Sequence, residues 1–215
     1  MNRPALSRSR QTDRESVISH ERSLSTRLLA FNWAYPACAV GAIGAVVASI
    51  LVAPGVPGFL GAGLAILMIA IAISDARQFI IPDPLALAAL CLGLLQALLV
   101  PFEDHLAALA GSLLRGAVLA LAFWGLRKIY KRLRGREGIG FGDVKLAAVA
   151  GVWLDWIAIA CAVEIAALAA LVMIAVLAAR GMKITARTRV PFGCFFAPAI
   201  WLAWLVDLAV LQTLF

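Results

Sequence analysis

Charge is scarce in this chain. Only 14% of its 215 residues are charged and 63% are hydrophobic, whereas a soluble domain carries roughly a quarter charged residues. The four cysteines, Cys38, Cys91, Cys161 and Cys194, are scattered through apolar stretches and include no Cys-x-x-Cys pair. That excludes a zinc signature and a disulfide framework, and leaves buried free thiols as the expectation. No internal repeat is evident, and the polar segments leave no room for a soluble domain. Lys and Arg are missing altogether from three short segments, 53–57, 101–105 and 154–156.

What the chain has instead is long apolar blocks, and a helix of about 20 such residues crosses a bilayer core of ~30 Å. The blocks predict spans over 28–52, 58–75, 84–100, 106–126, 144–155, 157–179 and 190–213. The expected fold is therefore all-α, a polytopic membrane protein of about seven transmembrane helices. The stretch from Val144 to Ala179 would run ~54 Å as a single helix, too long for one crossing. It is flanked by basic clusters on both sides, Arg127 to Arg136 and Arg180 to Arg189. Two spans turning near Leu154-Asp155-Trp156 satisfy length and charge together, the first of them short enough to be re-entrant.

The net charge of +7 does not point to nucleic acid, because the cations sit in short segments between apolar blocks, as in cytoplasmic loops. The same asymmetry places the N-terminus inside and the three Lys- and Arg-free segments outside. Residues 1–27 hold six arginines and read as a disordered basic cytoplasmic arm, with 28–215 as the membrane domain. The apolar run from Leu28 to Val52 is too long for a signal-peptide core.

Two acidic residues stand out at the cytoplasmic membrane edge. Asp75 ends the second span in Ser74-Asp75-Ala76-Arg77, ahead of Ile81-Pro82-Asp83-Pro84. Asp143 opens the fifth in Glu137-Gly138-Ile139-Gly140-Phe141-Gly142-Asp143-Val144-Lys145. Ionisable groups at such positions are costly in lipid, so function is the first hypothesis. Two carboxylates brought together share a proton: the ionised one takes a proton from water and the protonated one donates to a carbonyl. The glycines at 138, 140 and 142 leave the backbone open to a substrate strand. The bland reading is an interfacial Asp that caps a helix or pairs with Arg77 or Lys145. A nucleotide loop is remote, because the Lys-Ser/Thr ending and the preceding strand are lacking.

These residues carry a resemblance. Asp75 with Ile81-Pro82, then Gly140-Phe141-Gly142-Asp143-Val144-Lys145, is similar to the two motifs of the type IV prepilin peptidase family, the GxGD aspartyl proteases. Val190-Pro191-Phe192-Gly193 is similar to a Pro-Phe-Gly element in that family's last span. The resemblance implies a bacterial inner-membrane enzyme that removes the basic leader of prepilins or pseudopilins after a glycine. It implies Asp75 and Asp143 as the catalytic pair, with the glycines, Gly140 and Gly142 among them, shaping the site toward substrate and Lys145 as a neighbour. Glu137 reads either as an attraction for a basic leader or, sitting among arginines, as a solvated loop residue. No metal or cofactor is implied. Bifunctional members carry a domain with two Cys pairs between their first two spans, linked to N-methylation. Residues 53–57 leave no space for it, so the chain resembles the short, peptidase-only form of tight-adherence pilus systems, and methyl transfer is not expected.

Other positions carry smaller expectations. Arg115 and Glu164 fall at similar depth inside their spans, which suggests a structural ion pair. Asp83 reads as a cap for the third span. Trp153, Trp156, Trp201 and Trp204 read as interface anchors or packing residues. Two competing readings remain: a small transporter or channel lined by Asp75, Asp143 and Lys145, and a non-catalytic secretion-system assembly factor.

Overall fold

A computed structural model describes residues 38–99, 104–135, 138, 140–181 and 191–214. The basic arm at 1–27 and Glu137 lie outside the described residues. The chain divides into a unit ending at Ile43 and a unit from Gly44 to Phe215; the packing described here is internal to the second.

The described residues form seven helices: α1 over Cys38–Val52, α2 over Val56–Gln78, α3 over Asp83–Leu99, α4 over His105–Arg134, α5 over Phe141–Trp153, α6 over Trp156–Ala179 and α7 over Phe192–Leu214. Four of them, α2, α4, α6 and α7, are long and apolar enough to cross a membrane, while α1 and α3 are shorter apolar helices. Large apolar side chains such as Leu106, Leu121, Leu171 and Val172 point outward, which suits lipid and would be costly in water. The protein is an all-α polytopic membrane protein.

Helix ends follow local chemistry. Asp104 starts α4 by accepting N–H bonds from Leu106 and Ala107 at 2.9 and 3.1 Å. Asp155 starts α6 by accepting from Ala158 at 2.7 Å, so the turn between α5 and α6 falls where length and charge predicted. The expected span 106–126 lies within α4, which runs on through the basic residues to Arg134 and stops at Gly135, whose φ is +65°. Lys and Arg are good helix formers, and cations at a helix C-terminus complement its dipole. At 30 residues the helix is ~45 Å long and outreaches the bilayer core.

Glycines set how closely the helices approach, as in membrane bundles generally. A Cβ on Gly61 of α2 would fall 1.8 Å from Cη2 of Trp204 on α7. One on Gly93 of α3 would fall 2.6 Å from Nε1 of Trp153 on α5, and one on Gly151 would fall 2.5 Å from the Arg115 carbonyl oxygen on α4. Trp153 and Trp204 meet edge-to-face at 6.2 Å, and Trp153 donates to the Ala89 carbonyl at 2.8 Å. Trp201 donates to Ser49 of α1 at 3.0 Å. Three of the four tryptophans are thus packing residues; Trp156 is the exposed one.

The expected Arg115–Glu164 pair is corrected. Arg115 Nε donates to the Leu154 carbonyl at 2.8 Å and the Gly151 carbonyl at 3.3 Å, and Nη2 donates to Ser112 at 3.1 Å. Glu164 is exposed on α6. The physical reason is the shortness of α5. Its 13 residues reach only ~20 Å, so its C-terminal carbonyls end inside the protein without helical partners. A guanidinium, cationic and rich in donors, is suited to that negative end. The cysteines are free, as expected, but Cys91 and Cys161 lie on exposed helix faces rather than buried, where a thiol behaves as a small hydrophobe.

Replacing Arg115 by Met should leave two buried carbonyls unpaired and cost about 1–3 kcal/mol, read as a lower melting temperature in detergent. Glu164→Gln should move stability by less than about 0.5 kcal/mol. Equal losses in the two variants would restore the ion-pair reading.

Candidate active site

Asp75 stands on the last turns of α2 and Asp143 in the first turn of α5. Three segments bring them together: the reversal after α2, the glycine-rich entry to α5 and the first turn of α7.

The reversal begins at Phe79, which adopts a left-handed conformation with φ +55° and donates its N–H to the Asp75 carbonyl at 2.9 Å. It is the one non-glycine with positive φ among the described residues, and such a conformation costs roughly 1–2 kcal/mol. Ser74 Oγ donates to the Ile80 carbonyl at 2.9 Å and ties the loop back to α2. The result turns Ile80 outward and Ile81 inward, with Ile81 only 5% exposed. Pro82 then leads into α3.

Ile81 is the shim between the two motifs. A Cβ on Gly142 would fall 2.8 Å from Ile81 Cδ1, and one on Gly193 would fall 2.9 Å from the same atom. Gly142, expected to admit substrate, therefore has its missing side chain accounted for by Ile81. Gly138 is likewise filled, since a Cβ there would fall 2.2 Å from the Tyr130 ring. Gly140 alone of the three meets only ordinary contacts, the Asp143 carboxylate at 3.5 Å and the Gly142 nitrogen at 3.8 Å.

Asp75 is buried, at 6% exposure. Its Oδ2 accepts the Cys194 N–H at 2.8 Å, and a Cβ on Gly193 would approach that oxygen to 2.8 Å. Asp143 accepts the Gly140 N–H at 3.2 Å, so part of the bland reading is present: Asp143 caps its own helix. Burial pushes the Asp143 carboxyl up to about 6, with the neighbouring charge of Asp75 adding to the rise and the Gly140 N–H opposing it. Ile81 packs against Gly142, next to Asp143, and against Gly193, which abuts Asp75, so the two carboxyls stand on neighbouring segments.

Lys145 does not pair with Asp143. It forms a salt bridge with Asp83 at the start of α3 and lies 5.2 Å from the centre of the Phe141 ring. Asp83 thus joins α3 to α5. Arg127 of α4 approaches the same ring at 5.6 Å. Among the described residues, no cluster of three or more metal-ligating side chains gathers.

The description of the type IV leader peptidase family matches residues 62–178, a stretch that holds both aspartates. The chain belongs to the type IV leader peptidase family. Relatives named prepilin leader peptidase/N-methyltransferase include one from Klebsiella pneumoniae, 37% identical over 115 residues, covering 52% of this chain and 47% of that protein. One from Stutzerimonas stutzeri is 32% identical over 142 residues, covering 64% and 46%. One from Burkholderia pseudomallei is 37% identical over 141 residues, covering 63% and 42%. The chain's match thus spans less than half the length of each of these relatives. No solved structure matches it.

Two contributors to the site were not singled out by sequence reasoning. The Cys194 N–H is a backbone group that no residue type announces; its signal is Pro191-Phe192-Gly193 at a helix start. Ile81 was noted as part of a motif, but its reach to both Gly142 and Gly193 is visible only in three dimensions.

The Asp143 carboxyl should lose its proton near pH 6, seen as loss of its C=O stretching band in difference infrared spectra against Asp143→Asn. Because its folded pKa is raised, the native state holds the extra proton and stability falls as pH rises from about 4 to 6. In Asp75→Asn the midpoint should move down, since the neighbouring charge is gone. An unmoved midpoint would mean that the carboxyls do not interact.

Proposed function

We propose that the chain is a membrane-embedded aspartic endopeptidase that removes the basic leader of prepilins or pseudopilins. Cleavage follows a glycine, on the cytoplasmic face of the bacterial inner membrane. The observation that carries the reading is the packing of Ile81 against Gly142, next to Asp143, and against Gly193, next to Asp75, which gathers three motif segments in a chain of the leader peptidase family. The names of its relatives supply the substrate class.

Peptide hydrolysis by such a pair needs no covalent intermediate. One carboxylate is ionised and takes a proton from water as the water oxygen attacks the scissile carbonyl carbon. The other, protonated, donates its proton to the carbonyl oxygen, giving a neutral gem-diol. The C–N bond then breaks as the leaving nitrogen accepts a proton from the pair and a hydroxyl proton returns to it. One water is consumed, and the carboxyls regain their starting protons. Asp75 and Asp143 are the proposed catalytic residues. Gly140, which meets only ordinary contacts, is the proposed place of closest substrate approach; Glu137 is a secondary candidate toward the leader, as is Gly142 through its backbone, its side-chain position being filled by Ile81.

The cytoplasmic face is inferred from the basic segment Arg127 to Arg136 before Asp143 and from the lack of Lys and Arg in 53–57, 101–105 and 154–156, at the other ends of the spans. We infer peptide hydrolysis without methyl transfer, because α1 and α2 are joined by three residues, Ala53-Pro54-Gly55, and no Cys-x-x-Cys occurs.

Co-expression with a prepilin tests the reading. Wild type should shorten the prepilin, and Asp75→Asn and Asp143→Asn should each lower cleavage at least a hundredfold at matched membrane levels, since loss of a single proton-transfer group costs roughly 10²–10⁴. Either variant still cleaving at the wild-type rate would return that aspartate to the capping role.

A further inference from the structure

The two aspartates are not held alike. Asp143 is tied by a single N–H of its own helix, from Gly140 at 3.2 Å. Asp75 is gripped from another element: its Oδ2 accepts the Cys194 N–H at 2.8 Å. Phe192, Gly193 and Cys194 are the first three residues of α7, so their N–H groups have no partner within the helix and lie at its positive end. A carboxylate placed there gains a charge-assisted hydrogen bond from a second helix, whereas Asp143 lies at the start of its own.

Two further features make the grip specific. Gly193 has no side chain, and any Cβ would fall 2.8 Å from Asp75 Oδ2 and 2.9 Å from Ile81 Cδ1. The close approach of α7 to Asp75 therefore requires glycine at this position. Pro198 lies four residues beyond Cys194 within α7 and has no N–H for the Cys194 carbonyl. The first turn is thus less tightly tied to the rest of α7 than an ordinary turn. On other elements it touches Asp75 and Ile81, and within α7 Phe192 stacks on Phe196 at 5.4 Å.

We propose that the first turn of α7, through Gly193 and the Cys194 N–H, is a positioning element that fixes the Asp75 carboxyl in the geometry the reaction needs. It rests on the aspartyl peptidase reading and adds to it the element that places one of the two carboxyls. Gly193 and Cys194 act through Asp75.

The test uses purified full-length protein in detergent or proteoliposomes, with a prepilin as substrate and kcat and KM measured separately. Cys194→Pro removes the donor at a first-turn position where proline is tolerated. It should lower kcat roughly tenfold to a hundredfold, the loss expected for one donor to a developing or fixed charge, with KM within about twofold. Cys194→Ala, which keeps the N–H, should recover most of that loss. If alanine is as damaging as proline, the thiol and not the N–H is responsible, and the proposal fails.

Gly193→Ala provides the second arm should the proline variant not fold. It should also lower kcat and spare KM. Adding Ile81→Val removes Cδ1 and relieves the clash with Ile81 alone. The displaced Asp75 remains, so turnover should stay low; recovery to the wild-type kcat would show that only packing was at stake and would overturn the proposal. The outcomes separate this inference from the reading beneath it. If wild type leaves prepilins intact, the peptidase reading itself has failed. If wild type cleaves, the two Asn variants do not, and Cys194→Pro turns over normally, only the positioning role has failed.

Discussion

A carboxylate buried among apolar helices must find hydrogen-bond donors, and at Asp75 a donor comes from the start of α7. Much of the site's geometry depends on that contact. For α7 to deliver the Cys194 N–H, its first turn must approach α2 closely enough that residue 193 has no room for a side chain. The loop after α2 must then fold back without colliding. Phe79 takes a left-handed conformation, and Ser74 ties the loop down. That places Ile81 against Gly142, one residue before Asp143, so the same apolar side chain spaces both acidic segments. The three motif segments are in this sense one packing unit.

At the other end of α5 the constraint is backbone polarity. A helix of 13 residues cannot carry its last carbonyls to the far membrane surface, and unpaired carbonyls at depth are costly. Arg115 answers this from α4 by donating to Leu154 and Gly151. Close packing of Gly116 against Val152 and of Gly151 against the Arg115 backbone brings the guanidinium within reach. α5 is thus fixed at both ends: by Arg115 at its C-terminus, and by the Gly140–Asp143 bond and the Lys145–Asp83 bridge near its start. A firmly held α5 matters because Asp143 rides on its first turn, and small misplacement of a reacting group is expensive in rate.

Much of this was legible in the sequence because lipid leaves few alternatives. Scarce charge and long apolar blocks meant helices, and the turn at Leu154 to Trp156 followed from length and charge. Asp75 and Asp143 were recognisable as membrane-edge acids with glycine-rich or proline-rich neighbours. Other features were not legible, for identifiable reasons. Arg115 and Glu164 looked like partners because depth along a helix can be read from sequence, whereas the direction a side chain faces cannot. Arg115 turned toward α5, and Glu164 outward. The end of α4 at Arg134 was not legible, because charge marks where an apolar span stops, not where the helix does. The glycines before Asp143 suggested open backbone; Gly138 and Gly142 are instead filled by Tyr130 and Ile81, neighbours distant or reversed in sequence. A backbone donor such as the Cys194 N–H leaves no trace in residue type.

The central claim is that Asp75 and Asp143 face each other at one end of the bundle, and cross-linking in native membranes tests it most directly. In a cysteine-free background, Asp75→Cys with Asp143→Cys should join rapidly under a short bifunctional thiol reagent. Asp83→Cys with Lys145→Cys, whose side chains meet in the wild type, is the positive control, and Asp75→Cys with Asp207→Cys the negative one. Efficient joining of the first pair and the positive control alone is the predicted result. Joining of the positive control without the Asp75–Asp143 pair would contradict the account, because the two carboxylates would then be too far apart to share a proton or a substrate.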